Sequence, residues 1–201
     1  DVLNQLTVVL GYLRMAEEQA TDPVLRDYLT KMGKAGEMAR RQIEFTKEYQ
    51  EIGVRLPRWQ DVGSTIEQAT KNLDRGEVTL SVDLRDVEVF ADPLLEKVFY
   101  NMAENALRHG GKLTKIQFFA ENSGDCLRIV CEDDGVGVPA SEKQNIFERK
   151  YFKHTGFGLF IAKEVLAITG LSIRETGTPG EGARFEVLVP AAAYRVNGRQ
   201  P

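Results

Sequence analysis

Apolar residues recur along the first fifty positions at spacings of three and four: Leu3, Leu6, Leu10 and Leu13, continuing to Ala16 and Ala20. That is the period of a helix with one apolar stripe. The segment ATDPVLRDYL interrupts the pattern, with Pro23 suited to a first helical position and Thr21 or Asp22 suited to capping it. A second stripe follows at Leu25, Leu29, Met32, Gly36, Ala39, Ile43 and Thr46. Two helices joined by so short a turn form an antiparallel hairpin. A lone hairpin cannot cover both stripes. Pairing with a second copy through residues 1–52 into a symmetric four-helix bundle is therefore expected, in preference to packing on the rest of the same chain.

The run EIGVRLPRWQDVG breaks the helical period with Gly53 and Pro57, which places a boundary between residues 1–56 and residues 57–201. Beyond it, EVTLSVDL, VEVFA, KIQFFAE, CLRIVCE and ARFEVLVP read as strands, interleaved with helical segments near 61–72, 92–109 and 156–169. The fold class is α+β. The tail AAAYRVNGRQP is expected to fray.

Composition adds exclusions. The chain has 201 residues, 42% of them hydrophobic and 28% charged, with a formal charge of −4. That balance gives no electrostatic reason to expect nucleic acid or an anionic membrane as partner. No apolar run reaches the roughly 18 residues that span a bilayer, and no signal peptide is seen. Any membrane association is expected through regions outside this sequence. Cys126 and Cys131, five apart in one apolar run, would point to opposite faces of a strand and read as reduced thiols of a cytoplasmic chain. Two Cys and two His, scattered, form no metal cluster.

Three stretches carry candidate chemistry. In DPLLEKVFYNMAENALRHGG, Asp92 can cap a helix, Pro93 sits in its first turn and Gly110 ends it. Leu95, Val98, Phe99, Met102 and Ala106 form its buried stripe, and Asn101, Asn105 and Arg108 line the neighbouring face. An amide oxygen there is a hard, neutral ligand that suits Mg²⁺ beside phosphate oxygens, although a solvated polar face reads the same in isolation. In CLRIVCEDDGVGVP an apolar strand runs into Asp133, followed by Gly135 and Gly137. A carboxylate there can accept from the amino group of a base, and the glycines let backbone approach a ligand. In KYFKHTGFGLFIAKEVL, Gly156 and Gly158 open a helix whose free N–H groups favour phosphate, with Lys150 and Lys153 upstream. Each signal alone is weak. Neither the P-loop nor the dinucleotide spacing is present.

Together and in this order, the stretches resemble the catalytic ATP-binding domain of sensor histidine kinases, within a superfamily shared with DNA gyrase, a heat-shock chaperone and a mismatch-repair ATPase. NMAENALRHG resembles the N box, DDGVG the first glycine box, NIFERKYF the F box, HTGFGLF the second glycine box and GEGARFEVLVP the closing strand motif. The resemblance covers roughly residues 57–190. It implies a Bergerat-type two-layer sandwich of a mixed sheet and three helices, with ATP and Mg²⁺ as cofactors. It assigns Mg²⁺ to Asn105 with Asn101 nearby, and the adenine amino group to Asp133 beside Gly135 and Gly137. The phosphates fall to Thr155, Gly156, Phe157, Gly158 and Leu159, with Arg108, His109, Lys150 and Lys153 close by. Phe147 and Phe152 would anchor an ATP lid of roughly 140–155. The sequence departs from the family pattern at His154, which replaces a glycine, at Ala183, which replaces a threonine, and in the short span from Pro139 to Gly156.

The opening DVLN resembles the end of the phosphoacceptor motif His-[Asp/Glu]-x-x-[Asn/Thr]. The resemblance implies a His immediately before Asp1, Asp1 as its proton acceptor and Asn4 in a phosphatase role. His109 and His154 read as groups near the nucleotide rather than acceptors, so the sequence as it stands is expected not to phosphorylate itself. The implied partner is the receiver domain of a response regulator. The alternative is an ATP-binding dimeric scaffold or phosphotransfer adaptor without kinase activity.

Overall fold

The computed structural model describes residues 2–84, 86–124, 126–148 and 157–196. It divides into two compact units, Asp1–Glu51 and Ile52–Pro201.

The first unit is a hairpin of α1 (Val2–Gln19) and α2 (Pro23–Glu51). Asp22 Oδ1 accepts from the Val24 amide at 2.9 Å and so starts α2. Arg26 donates back to the Ala20 carbonyl at 2.6 Å, and the Thr30 hydroxyl donates to Glu17 across the turn. Leu3, Leu6, Leu10 and Leu13 are half-buried against α2. Much of the apolar surface is left open: Tyr12 and Met38 are 69% exposed, Val8 56% and Met32 55%. Only Ala20 and Phe45 are buried among the described apolar residues of this unit.

The second unit holds a five-stranded sheet in the order β2 (Thr79–Asp83), β4 (Lys115–Ser123), β5 (Cys126–Asp133), β7 (Arg184–Pro190), β6 (Ser172–Glu175). β2 runs parallel to β4, and the other pairs are antiparallel. Alternation along these strands sorts their residues. Ile116, Phe118, Leu127, Ile129, Cys131, Phe185, Val187 and Val189 share the buried face. Helices α3 (Val62–Thr70), α4 (Leu95–His109) and α5 (Phe157–Ala167) pack together as the second layer, with Phe99 of α4 edge-on to Phe118 at 6.1 Å. The opposite face carries an ionic lattice in which Arg184 reaches Glu132 at 2.6 Å, Glu121 at 2.8 Å and Glu186 at 3.0 Å. The mixed sheet with three helices is the expected two-layer architecture.

Two expectations need correction. The helix anticipated from residue 92 begins at Leu95, and Leu94, not Asp92, is its N-cap residue. The reason is that the Asp92 carboxylate is engaged one turn earlier: Oδ1 accepts from the Leu94 amide at 2.8 Å and Oδ2 from the Gly53 amide at 3.1 Å. The tail is not frayed through residue 196. After a 3-10 turn at Ala191–Ala193, β8 (Tyr194–Val196) completes a second sheet in the order β1 (Arg58–Asp61), β3 (Val87–Ala91), β8. Tyr194 is buried, and Arg195 bonds Glu88 at 2.6 Å while its guanidinium lies 4.4 Å from the Trp59 ring centroid. A three-residue strand carries little periodicity, so its pairing is set by β3 rather than by its own sequence. Tyr194→Ala is expected to destabilise the second unit by about 2–4 kcal/mol in urea unfolding. A loss below about 0.5 kcal/mol would show that the tail contributes nothing.

Candidate functional site

Asp133 ends β5 on the buried face of the sheet, where an unpaired carboxylate is costly. The backbone provides for it. The Asp133 amide donates to the Ala183 carbonyl at 3.0 Å, and the Ala183 amide returns a bond to Oδ1 at 3.2 Å. The Gly135 amide also donates to Oδ1, at 2.9 Å. Oδ2 accepts no hydrogen bond among the described residues. One oxygen is thus anchored and the other is available to a donor. Burial raises the carboxyl's pKa, the two amides oppose that, and the charges of Asp134 and Glu175 add to the rise.

Glycines bring three segments together around this carboxylate. A Cβ on Gly135 would lie 2.4 Å from the Gly110 carbonyl at the end of α4, so only glycine fits, and Val136 bonds that same carbonyl at 3.0 Å. Gly137 (φ 69°) and Gly182 (φ 128°) interlock from the other side: a Cβ on Gly182 would fall 1.8 Å from the Asp133 carbonyl. The end of α4, the loop after β5 and the loop between β6 and β7 therefore meet at Asp133.

Along α4, burial declines from Asn101 to Arg108. Asn101 is buried, and its Nδ2 donates to the Gly158 carbonyl at 2.9 Å, tying α4 to the second residue of α5. A Cβ on Gly158 would come within 3.1 Å of that amide. Asn101 thus serves as an interhelical tie. Asn105, one turn later, is half-buried, and no hydrogen bond to its side chain is found among the described residues. Arg108 is exposed and pairs with Glu104 at 2.9 Å; His109, also exposed, closes the helix. Phe147, in a 3-10 turn at Asn145–Phe147, is buried edge-on against Phe185 at 6.3 Å. Phe157 is half-buried and Leu159 is buried at the start of α5. Asn4 is exposed on α1 in the first unit. Asp1, Lys150, Phe152, Lys153, His154, Thr155 and Gly156 lie outside the described residues.

Several residues of the site were not anticipated. Ala183, marked in the sequence only as a departure from the family's threonine, acts through its backbone. Asp134, beside Asp133, accepts from the Thr114 hydroxyl at 2.6 Å and amide at 2.8 Å and from the Lys115 amide at 3.0 Å, stapling the loop to the start of β4. Glu175 is buried, bonded by the Gly177 amide at 2.9 Å, the Arg184 amide at 3.2 Å and the ammonium of Lys143. Alternation could have found Glu175, because it falls on the same face as Ile173.

Residues 91–193 match the family described as histidine kinase-, DNA gyrase B- and HSP90-like ATPases. The chain belongs to that family. Its second unit is an ATP-binding domain of the sensor histidine kinase type. The alginate biosynthesis sensor protein KinB of Pseudomonas aeruginosa is 39% identical over 102 residues, 48% of this chain and 17% of KinB. The signal transduction histidine-protein kinase AtoS of Escherichia coli (strain K12) is 25% identical over 203 aligned residues, 94% of this chain and 33% of AtoS. The chain therefore spans a third or less of these curated relatives. Among solved structures, full-length ShkA in complex with AMPPNP superposes with a TM-score of 0.63 at 22% identity, covering 93% of this chain and 43% of that one. Among its described residues the chain has no helix long and apolar enough to cross a membrane.

The two adjacent aspartates of this kinase-type domain are set to titrate in opposite directions. The Thr114 hydroxyl and the Lys115 and Thr114 amides hold Asp134 down to about 2, whereas burial holds Asp133 above its ordinary value. A lowered folded pKa stabilises the fold above the ordinary carboxylate range of about 3.9, and that contribution is lost as pH falls toward 2. A raised pKa works the other way: Asp133 resists ionisation as pH rises through the same range. Carboxyl-detected NMR titration is expected to separate the two. Both midpoints near the ordinary value would contradict the geometry.

Proposed function

We propose that the chain is the core of a cytoplasmic histidine kinase, binding Mg·ATP at Asp133 and transferring its γ-phosphoryl group to a histidine directly preceding Asp1. The phosphoryl group then passes to an aspartate of a response-regulator receiver domain. The observation that carries this reading is the Asp133 carboxylate, buried, anchored through Oδ1 and with Oδ2 unengaged among the described residues. An acceptor so fixed suits the 6-amino group of adenine. The nucleotide complex of the structurally similar ShkA supports the same ligand class.

The residues present fit Mg²⁺ in a limited way. Among the described residues, no group of three or more His, Cys, Asp or Glu converges on one point. An ion carried by phosphate needs few protein ligands, and the Asn105 amide oxygen is a suitable one. When bound, Mg²⁺ neutralises developing charge on the phosphates. Asn101 keeps α4 and α5 in register, which would hold Asn105 and the start of α5 in fixed positions for the ligand. Arg108, paired with Glu104, lies at the end of the same helix.

In the transfer, the histidine nitrogen attacks the γ-phosphorus and the bond to the β–γ bridging oxygen breaks, releasing ADP. Asp1 accepts the nitrogen's proton, and Asn4, in the first turn of α1, orients water in the reverse, phosphatase reaction. The exposed apolar residues of α1 and α2, among them Val8, Tyr12 and Met32, favour a homodimer through residues 1–52.

Asn105→Ala is expected to weaken Mg·ATP binding at least about tenfold while leaving the weaker, metal-free binding unchanged. Calorimetric titration with and without Mg²⁺ measures both. A full Mg²⁺ dependence retained in the variant would remove Asn105 from the site and, with it, this account of the metal.

A further inference from the structure

We infer that Lys143 and Glu175 form a positioning pair for Asp133, and that the pair sets how sharply the site distinguishes a 6-amino purine from a 6-oxo purine. The inference rests on the nucleotide reading proposed above.

Glu175 lies on the buried face of β6, opposite Phe185 in the ladder with β7. Its side chain is 0% exposed and that of Lys143 21%. Every oxygen of this carboxylate has work at the neck of the β6–β7 loop. Oε1 accepts from the Gly177 amide at 2.9 Å and the Arg184 amide at 3.2 Å, so it holds both ends of the loop 176–183. Oε2 accepts from Lys143 Nζ, which also donates to the Gly177 carbonyl. Lys143 comes from the segment between the first glycine loop and the buried turn at Asn145–Phe147. Two distant stretches are thereby pinned to one buried point.

The loop so closed delivers Ala183, whose amide and carbonyl grip Asp133. The line of force runs from Lys143 to Glu175, through the loop, to the carboxylate that receives the base. An apolar pair of similar volume would fill the space, but it would leave the Gly177 and Arg184 amides without their acceptor. Removing only Lys143 leaves a buried charge uncompensated, and the loop must open to hydrate it. Either change moves Ala183, and Asp133 moves with it.

Base discrimination reports that movement directly. Oδ2 accepts from the 6-amino group of adenine, whereas the 6-oxo group of hypoxanthine presents an acceptor to it and is repelled. The test measures dissociation constants of the whole chain for Mg·ATP and Mg·ITP by calorimetry, with the melting temperature of every variant recorded. Lys143→Met is expected to weaken ATP about tenfold while ITP stays within about twofold, so the preference shrinks. Lys143→Arg is expected to keep the preference, since a guanidinium can serve both acceptors. If Lys143→Met fails to fold, Glu175→Gln, which retains an oxygen for the two amides, is expected to lose preference in the same direction. Asp133→Asn separates the two levels of the argument. If Asp133→Asn abolishes the preference but folded Lys143→Met leaves it intact, the positioning role is overturned and the site reading stands. Parallel weakening of both nucleotides in Lys143→Met also overturns it, leaving a structural pair only. If Asp133→Asn itself leaves the preference unchanged, the site reading falls and takes this inference with it.

Discussion

The reciprocal pair of hydrogen bonds between Asp133 and Ala183 is the constraint on which the site depends. One bond extends the β5–β7 ladder by a residue, and the other spends a backbone amide on a side-chain oxygen. A carboxylate on the buried face of a sheet would otherwise be expelled or protonated. Once it is held there, the loops on either side have little freedom. Gly135 must pass against the end of α4, and Gly182 must pass against the Asp133 carbonyl, at distances that exclude any side chain. The site is therefore specified by backbone contacts as much as by functional side chains.

The second organising contact is Asn101 to Gly158. It joins the helix that carries Asn105 to the helix that starts within the second glycine motif. An amide inside a helical interface is satisfied here by a backbone carbonyl, which fixes the separation of α4 and α5 more tightly than an apolar contact would. The family pattern places both asparagines near the nucleotide. In this chain they divide the work: the buried one sets the helices, and the half-buried one keeps a side chain with no hydrogen bond among the described residues.

Much of this was legible in the sequence because the patterns are long. The stripe from Leu95 to Ala106 spans three turns, and CLRIVCE and ARFEVLVP are long apolar strands, buried along one face and also, on the other, at Val130 and Glu186. The glycine motifs announced close backbone approach, though not what would be approached. Other features were hidden, among them the four-residue strands β1 and β6. The β8 strand is only three residues long and owes its place to pairing with β3. α4 starts three residues later than expected because Pro93 and Leu94 form a turn closed onto Asp92, which also reaches Gly53 across 39 positions. Position 183 was marked only as a departure from the family's threonine, and the backbone bonds through which it acts are not encoded in its identity. Long-range and main-chain interactions are the ones that local pattern does not encode.

A titration of the isotope-labelled chain with Mg·ATP, followed amide by amide, tests the central claim most directly. Saturable binding should shift the Gly135 and Ala183 amides together, because both bond Oδ1 of Asp133, beside the oxygen proposed to receive adenine. The Thr114 and Lys115 amides, held by Asp134, should move less. Saturable binding that leaves Gly135 and Ala183 unmoved, with the largest shifts elsewhere on the domain, would contradict the account.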